Sequence, residues 1–226
     1  MARLFDDAQS EYLERDEAPV TAVPLTMACW FYTDEMENYQ ALMFIGDKAA
    51  ENNFFTLRLS DDHAGNIVEF DRRSAAARTQ AQTTAGFNIN TWHHACAVAS
   101  ATDSAAVFLD GGNKGTEVTD ITPVGLDRVS IARYGDDSPG TYMSGRIAEA
   151  AIWNVALTDA EVAGLGDRVS PLFIRPQNLV AYWPLIRDED RDPVGGFDLT
   201  AFNAPSIAAH APMYYLATPY QISGGG

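Results

Sequence analysis

Short apolar runs separated by polar turns recur along the whole chain, and this pattern indicates β-strands. The clearest example is 54–60, where Phe55, Leu57 and Leu59 alternate with polar residues. A period of two is typical of a strand that buries one face. Weaker strand signals of the same kind lie at 25–33, 41–45, 68–70, 91–99, 105–109, 129–132 and 179–185.

One strand signal leads directly into a helix signal. Residues 147–155 are nearly all apolar and too few for a membrane-spanning helix. Thr158 and Glu161 then have the T-x-x-E spacing of a capping box, in which each side chain accepts a hydrogen bond from the other residue's amide. Gly164 and Gly166 offer helix stops soon afterwards. The pattern therefore predicts a short helix near 158–165.

The order of these elements defines the predicted fold class. Many short strands, frequent Gly and Asp turns and almost no helix favour an all-β sandwich or jelly roll. No linker or internal repeat interrupts the pattern. We predict one such domain over 1–203, followed by an extended C-terminal arm over 204–226.

Composition and charge narrow the partners. The 226 residues are 46% apolar, enough for a sizeable core, and no apolar run reaches the ~20 residues of a membrane span. The first ten residues have no basic region followed by an apolar stretch, so no signal peptide is expected. No membrane partner is therefore expected, and the net charge of −16 would repel phosphate backbones, which argues against a nucleic-acid partner.

The two cysteines, Cys29 and Cys96, both lie in predicted strands. Two buried free thiols are the favoured interpretation. The sequence leaves open that the two strands are neighbours, which would allow a disulfide.

Five blocks of sequence together resemble a known family. In order they read T-M-A-C-W-F-Y, W-H-H-A-C-A-V, A-V-F-L-D-G-G, G-R-I-A-E-A-A-I-W-N-V-A-L-T-D-A-E-V-A-G-L and L-V-A-Y-W-P-L. This order is similar to the laminin G-like, concanavalin A-like jelly roll in its pentraxin-like, single-domain form, over roughly residues 4–202. The resemblance implies an all-β, two-sheet antiparallel jelly-roll sandwich with a concave face. It implies no single activity, since such domains bind glycans or proteins, act as spacers or decorate surfaces.

Catalysis is not expected. Enzymes of the wider fold carry an E-x-D-x-E strand, and Glu69-Phe70-Asp71-Arg72-Arg73 begins in the same way. The third position is Arg73, which cannot replace a carboxylate as nucleophile or acid. We therefore interpret Glu69 and Asp71 as part of a solvated strand face. Within the capped strand, Glu149 is interpreted as a structural hydrogen-bonding carboxylate.

Metal binding is considered at two places. His93 and His94 are neighbours on a strand, so they point to opposite faces and cannot chelate one ion. Calcium needs loop carboxylates and carbonyls, and the acidic loops at 61–62, 136–137 and 187–192 supply them. The family resemblance makes Asp192, followed by a Gly-rich turn, the candidate calcium ligand, although a solvated loop is the simpler interpretation.

The end of the chain differs from the rest. No Asp, Glu, Lys or Arg follows Asp198, and prolines recur at every seventh position from 205 to 219. Aromatic and apolar side chains between them suit contact with protein rather than solvent. The arm either lies on its own sandwich or binds a neighbouring subunit. The predicted partner-binding residues are Met213, Tyr214, Tyr215, Leu216 and Tyr220.

These features favour a non-catalytic structural protein of a bacteriophage virion, in capsid decoration or associated with the tail. It would dock on other virion proteins or self-associate as a homo-oligomer. The alternative is a carbohydrate-binding, lectin-like module, with calcium as a possible cofactor. Its contacts would come from exposed aromatics at Tyr39 and Phe87, and above all from Tyr134 and Tyr142, which flank the acidic loop G-D-D-S-P-G-T.

Overall fold

The described part of the chain folds as two stacked antiparallel β-sheets with one short α-helix, which confirms the predicted sandwich. The computed structural model describes residues 1–36, 39–61, 65–186 and 190–213. Across these ranges no helix is long and apolar enough to cross a membrane.

Fifteen strands occur within the described part of the chain. In chain order they are β1 (Ala2–Phe5), β2 (Tyr12–Arg15), β3 (Leu25–Tyr32), β4 (Gln40–Gly46), β5 (Asn53–Ser60), β6 (Ile67–Ser74), β7 (Ala77–Gln82), β8 (His93–Ala101), β9 (Ser104–Leu109), β10 (Gly112–Glu117), β11 (Arg128–Ile131), β12 (Gly145–Trp153), β13 (Leu179–Trp183), β14 (Thr200–Phe202) and β15 (Ser206–Ala208).

The strands are shared between an eight-stranded and a seven-stranded sheet. The eight-stranded sheet has the order β10-β9-β8-β3-β12-β1-β15, and β13 pairs with the second half of β12. The seven-stranded sheet has the order β14-β2-β11-β4-β5-β6-β7. The chain crosses repeatedly from one sheet to the other, as in a jelly roll.

The main core lies between the two sheets. Phe55, Leu57 and Leu59 of β5 point inward, as their alternation predicts, and they share this core with Met27 and Phe31 of β3. Burial of apolar surface, which contributes about 25 cal/mol per Å², is the main force that holds such sheets together. Because the core residues are apolar, groups that could bind a ligand are expected on the outer faces of the sheets.

The cysteines are free and buried, as predicted. Their strands are neighbours: Cys29 of β3 lies opposite Ala95, and Cys96 of β8 lies opposite Ala28. Side chains of neighbouring cross-strand pairs point to opposite faces of a sheet. Cys29 therefore lies in the core between the sheets, and Cys96 lies on the outer side of the eight-stranded sheet. Burial raises the pKa of both thiols above their ordinary values.

The predicted helix is present as α1 (Asp159–Gly166). Thr158 is its N-cap, and the Glu161 carboxylate accepts a hydrogen bond from the Thr158 amide at 2.8 Å. Val162 and Leu165 pack on the outer face of the eight-stranded sheet. The capping box thus fixes the start of a helix that covers part of this face.

Six strands escape sequence prediction because they lack an apolar pattern or are very short: β1, β2, β7, β10, β14 and β15. β7 reads A-R-T-Q-A-Q and β10 reads G-N-K-G-T-E, and each is the outermost strand at one end of its sheet. Strand formation there depends on pairing with a neighbour, which local sequence does not reveal.

The last described residues lie along the sandwich. β15 pairs with β1 at the edge of the eight-stranded sheet, one of the two positions left open for the arm. Met213 then packs against the cluster that contains Trp30. Tyr214, Tyr215, Leu216 and Tyr220 lie outside the described residues.

Glu149 lies beneath this segment and makes structural contacts. It is 3% exposed, its carboxylate accepts a hydrogen bond from the Tyr182 hydroxyl at 2.6 Å, and Nε2 of His210 lies 3.2 Å from it. The interpretation of Glu149 as a hydrogen-bonding structural residue agrees with this arrangement.

The two neighbouring histidines face opposite sides of the eight-stranded sheet. His93 packs against Phe31, and its Nδ1 lies 2.7 Å from Asp110. His94 is 2% exposed, lies beside Trp30 on the outer face, and its Nδ1 has no hydrogen-bond partner among the described residues. Burial lowers the pKa of His94 to about 4, although Asp110 opposes the shift.

This burial predicts a pH-dependent stability. His94 is held neutral in the fold, whereas an imidazole in the unfolded chain takes up a proton below about pH 6.5. The stability of the fold with neutral His94 is therefore fully present above pH 6.5, and part of it is lost as the pH falls toward 4. In urea unfolding between pH 7 and pH 4, the wild type should lose more unfolding free energy than His94→Gln. Parallel pH profiles for the two proteins would contradict this explanation.

Candidate functional site

The outer face of the seven-stranded sheet carries charged side chains that are buried; we call it the charged face. Arg58 of β5 lies directly opposite Glu69 of β6, and Asp71 lies two residues further along β6. Glu69 is 2% exposed and Asp71 is fully buried. The expectation of a solvated strand face at Glu69 and Asp71 is therefore wrong, because loops and neighbouring arginines cover these carboxylates.

Arg58 is the centre of the charged face. Its guanidinium lies 2.6 Å from Glu69 and 3.2 Å from Asp71, and it donates to the Tyr134 hydroxyl at 2.9 Å. The ring of Tyr39 lies over the same guanidinium, 3.9 Å from Cζ to the ring centre. Burial alone would lower the pKa of Arg58, but the neighbouring hydroxyl and carboxylates outweigh it and raise this pKa. Arg58 therefore ties two strands and two loops together.

A second arginine completes the pairing of Asp71. Arg78 of β7 donates to both carboxylate oxygens of Asp71, at 3.1 and 2.5 Å. The Tyr134 hydroxyl donates to the same carboxylate at 3.2 Å, and Gln82 donates to Glu69 at 2.9 Å. Both carboxylates are thus engaged by cations and neutral donors. Glu69 and Asp71 therefore fix the positions of the arginine, tyrosine and glutamine side chains that donate to them.

Tyr134 belongs to a loop that folds back over the charged face. Its amide donates to the Gly140 carbonyl at 2.9 Å, which closes the loop into a narrow hairpin. Its half-buried ring packs against Phe44 and Phe54, with ring centres 5.7 and 5.5 Å away. Burial raises the pKa of the Tyr134 hydroxyl above its ordinary value, so the hydroxyl stays protonated as a donor.

An open depression of about 200 Å³ lies beside Tyr134 at the edge of the charged face. Its lining consists of charged, hydroxyl-bearing and aromatic side chains: Glu51, Phe54, Arg73, Arg78, Tyr134, Asp136 and Ser138. Asp136 is 5% exposed and accepts a hydrogen bond from the Ser138 amide at 3.1 Å. Burial, with the nearby charges of Asp137 and Glu51, raises the pKa of Asp136.

The aromatic residues predicted for a glycan site do not all meet here. Tyr134 lines the depression, and Tyr39 lies on Arg58 next to it. Tyr142 instead packs near Tyr12, with ring centres 6.2 Å apart. The expected exposure of Phe87 is wrong: it is 6% exposed and packs edge-on against Phe31 in the core.

A second ion pair occupies the other end of the charged face. Arg133 is paired with Glu14 of β2, which also accepts a hydrogen bond from Ser130 at 3.1 Å. The Arg133 guanidinium lies over the ring of Tyr12, 3.6 Å from its centre. Sequence reasoning missed both this pair and Arg58. The alternation in 54–60 did carry a signal, since it places Arg58 on a polar face.

Asp192 holds a turn together. It is 4% exposed, and its two oxygens accept hydrogen bonds from the amides of Tyr182, Val194, Gly195 and Phe197 at 2.8–3.1 Å. Across the described ranges, no three His, Cys, Asp or Glu side chains converge on one point. The contacts of Asp192 are those of a structural carboxylate, and calcium binding there stays a prediction.

The sequence and the fold place the chain in a known superfamily. Residues 7–163 match the Concanavalin A-like lectin/glucanases superfamily, and this is more than half of the chain. The chain therefore belongs to that superfamily, which confirms the resemblance drawn from the five sequence blocks. No curated protein sequence matches the chain.

Solved structures show the same fold at low identity. A heptameric SAP-like pentraxin from Limulus polyphemus has a TM-score of 0.64 at 15% identity, covering 91% of this chain and 93% of its own. Domain 4 of AbnA, an extracellular arabinanase of Geobacillus stearothermophilus, in complex with arabinotriose, scores 0.60 at 15% identity over 73% and 76%. The CBM40 of the Ruminococcus gnavus IT-sialidase, bound to α2,3-sialyllactose, scores 0.57 at 15% identity over 65% and 84%. Such likeness shows the fold alone.

The pairing of Arg58 makes a prediction for stability. Arg58→Met should lower the unfolding free energy by about 3–5 kcal/mol, because Glu69 would stay buried without its cation. The double variant with Glu69→Leu should recover much of the loss, since it removes that unpaired charge. Lys48, whose ion pairs with Asp16 and Asp127 are exposed, provides the control, and Lys48→Met should cost about 1 kcal/mol or less. Chemical denaturation measures all three; a cost for Arg58→Met no larger than for Lys48→Met would refute the assignment.

Proposed function

We propose that this protein is a non-catalytic carbohydrate-binding domain whose ligand lies on the charged face, at the depression beside Tyr134. The observation that carries the proposal is the way this site is built. It lies beside the paired buried charges of Arg58, Glu69 and Asp71, and its rim offers an aromatic ring, a carboxylate and a hydroxyl from Tyr134, Asp136 and Ser138.

The chemistry of the rim suits a saccharide. A sugar ring has an apolar face and a belt of hydroxyls, so it needs an aromatic surface together with donors and acceptors. The volume of about 200 Å³ is below the roughly 300–1,000 Å³ of pockets that enclose drug-sized molecules. One sugar unit would therefore enter the depression, and the rest of the ligand would lie along the surface.

The rigidity of the paired charges beside the depression supports binding as well. Arg58 fixes the loop of Tyr134 through a hydrogen bond and lies beneath the ring of Tyr39. Side chains held in this way lose little conformational entropy when a ligand binds. Two structural relatives are complexes with saccharides, arabinotriose and sialyllactose, and this supports the proposal.

The predicted self-association and virion role do not depend on the carbohydrate site. The pentraxin relative is heptameric, so the fold is compatible with self-association. The predicted docking on other virion proteins through Met213 and the residues after it stays a sequence-based prediction. The comparisons support the carbohydrate-binding alternative more directly than the virion assignment.

A pair of neighbouring aspartates tests the proposal. Asp136 lines the depression, whereas Asp137 is exposed beside it and contributes nothing to the lining. On a glycan array, Asp136→Ala should reduce binding by about tenfold, the value expected for losing a hydrogen bond to a charged group. Asp137→Ala should bind like the wild type.

The array is run with and without a chelator, which also tests the predicted calcium dependence. Circular dichroism of each variant checks that the sandwich is intact. Equal binding by Asp136→Ala and the wild type, or no binding of any glycan by the wild type, would overturn the proposal.

A further inference from the structure

Two arginines face each other across neighbouring strands at the depression. In the pairing of β6 with β7, Arg73 lies directly opposite Arg78, and both side chains line the depression. Side chains directly opposite on one sheet face are only about 5 Å apart at Cβ, and like charges there are destabilising. Such a pair persists where something compensates the repulsion.

The protein itself compensates one of the two charges. Arg78 is paired with Asp71, as described above. Arg73 donates to the main-chain carbonyls of Ala75 at 3.3 Å and Glu51 at 3.1 Å. In the described ranges no carboxylate forms an ion pair with Arg73. The depression therefore contains a half-buried guanidinium whose charge lacks an anionic partner.

We propose that the Arg73–Arg78 pair binds the anionic group of an acidic saccharide, a carboxylate or a sulfate. This inference rests on the proposed function and specifies its ligand. A guanidinium presents several N–H groups in one plane, and the hydrogen bonds of Arg73 to Ala75 and Glu51 engage only two of its nitrogens, Nε and Nη1. An anion between the two arginines would also compensate the remaining charge, that of Arg73.

The overall charge of the chain limits the kind of acidic saccharide. A net charge of −16 repels a long polyanion, whose many charges would face acidic surface beyond the site. Asp136 and Glu51 at the rim also restrict anionic groups to the arginine side of the depression. The ligand that fits is a saccharide with one acidic unit next to neutral ones, the acid at the arginines and hydroxyls toward Asp136.

A glycan array with matched neutral and acidic glycans compares binding by the wild type and by Arg73→Gln. The array carries lactose, 3′-sialyllactose and 3′-sulfated lactose, together with neutral plant oligosaccharides and their uronic-acid forms. The wild type should bind an acidic form about tenfold more tightly than its neutral counterpart, and Arg73→Gln should remove this preference without weakening neutral binding. The carboxylated and sulfated forms show which anion is preferred.

Arg15→Gln is the matched control, since Arg15 lies on β2 at the far side of the same sheet and its removal changes the net charge equally. It should retain the preference for the acidic form. Thermal unfolding without sugar should show Arg73→Gln no less stable than Arg15→Gln, because it removes a like-charge contact. A large loss of stability in Arg73→Gln alone would make Arg73 a structural residue and overturn the inference.

The remaining outcomes separate this inference from the proposed function. Equal affinity for neutral and acidic forms, unchanged in Arg73→Gln, would overturn the arginine site while glycan binding stands. No binding of any saccharide by the wild type would overturn the proposed function and this inference with it.

Discussion

Arg58 lies between Glu69 and Asp71 on a sheet face that two loops cover, and charges in such a place are stable only when they are paired. Because the pairing is complete, the loop of Tyr134 and the ring of Tyr39 have fixed positions to pack against. The shape of the depression follows from these positions. Removing one charge would thus affect the fold and the site together.

The two outer faces of the sandwich have different roles. On the eight-stranded sheet, α1 packs Val162 and Leu165 against the strands, and the C-terminal segment places Ala211 and Met213 near Trp30. The chain's own apolar side chains cover part of that face. On the seven-stranded sheet the tyrosine rings lie over paired charges, and the depression beside them is lined mostly by charged, hydroxyl-bearing and aromatic side chains. This difference in covering makes the charged face the better surface for a polar ligand.

Much of the fold could be predicted because its signals are local. The alternation in 54–60 depends only on neighbouring residues, and the capping box of Thr158 and Glu161 spans one helical turn. The burial of Glu69 and Asp71 could not be predicted in this way. It depends on Arg58, eleven residues from Glu69, and on Tyr134, 63 residues from Asp71. Such distant contacts leave no periodic signal in the sequence.

In the candidate site, too, local features could be predicted from the sequence and features set by distant contacts could not. Tyr134 is predictable as an aromatic residue beside an acidic loop, whereas Phe87, expected to be exposed, fills a core position against Phe31. In the sequence, Arg73 stands out only as a departure from a catalytic pattern. Its cross-strand partner depends on the register of β7, a strand with no apolar alternation. The local sequence therefore indicates the loop of Tyr134, whereas the pairing of Arg73 with Arg78 follows only from the register of the sheet.

A saccharide bound at the Tyr134 depression would lie on the charged face, far from the opposite sheet. A titration of the ¹⁵N-labelled protein with the tightest-binding glycan from the array, observed by NMR, tests this placement. We expect the largest changes in amide chemical shift in the loop 133–140 and in β6 and β7. Changes confined to α1 or to the residues around Trp30 on the opposite sheet would contradict it.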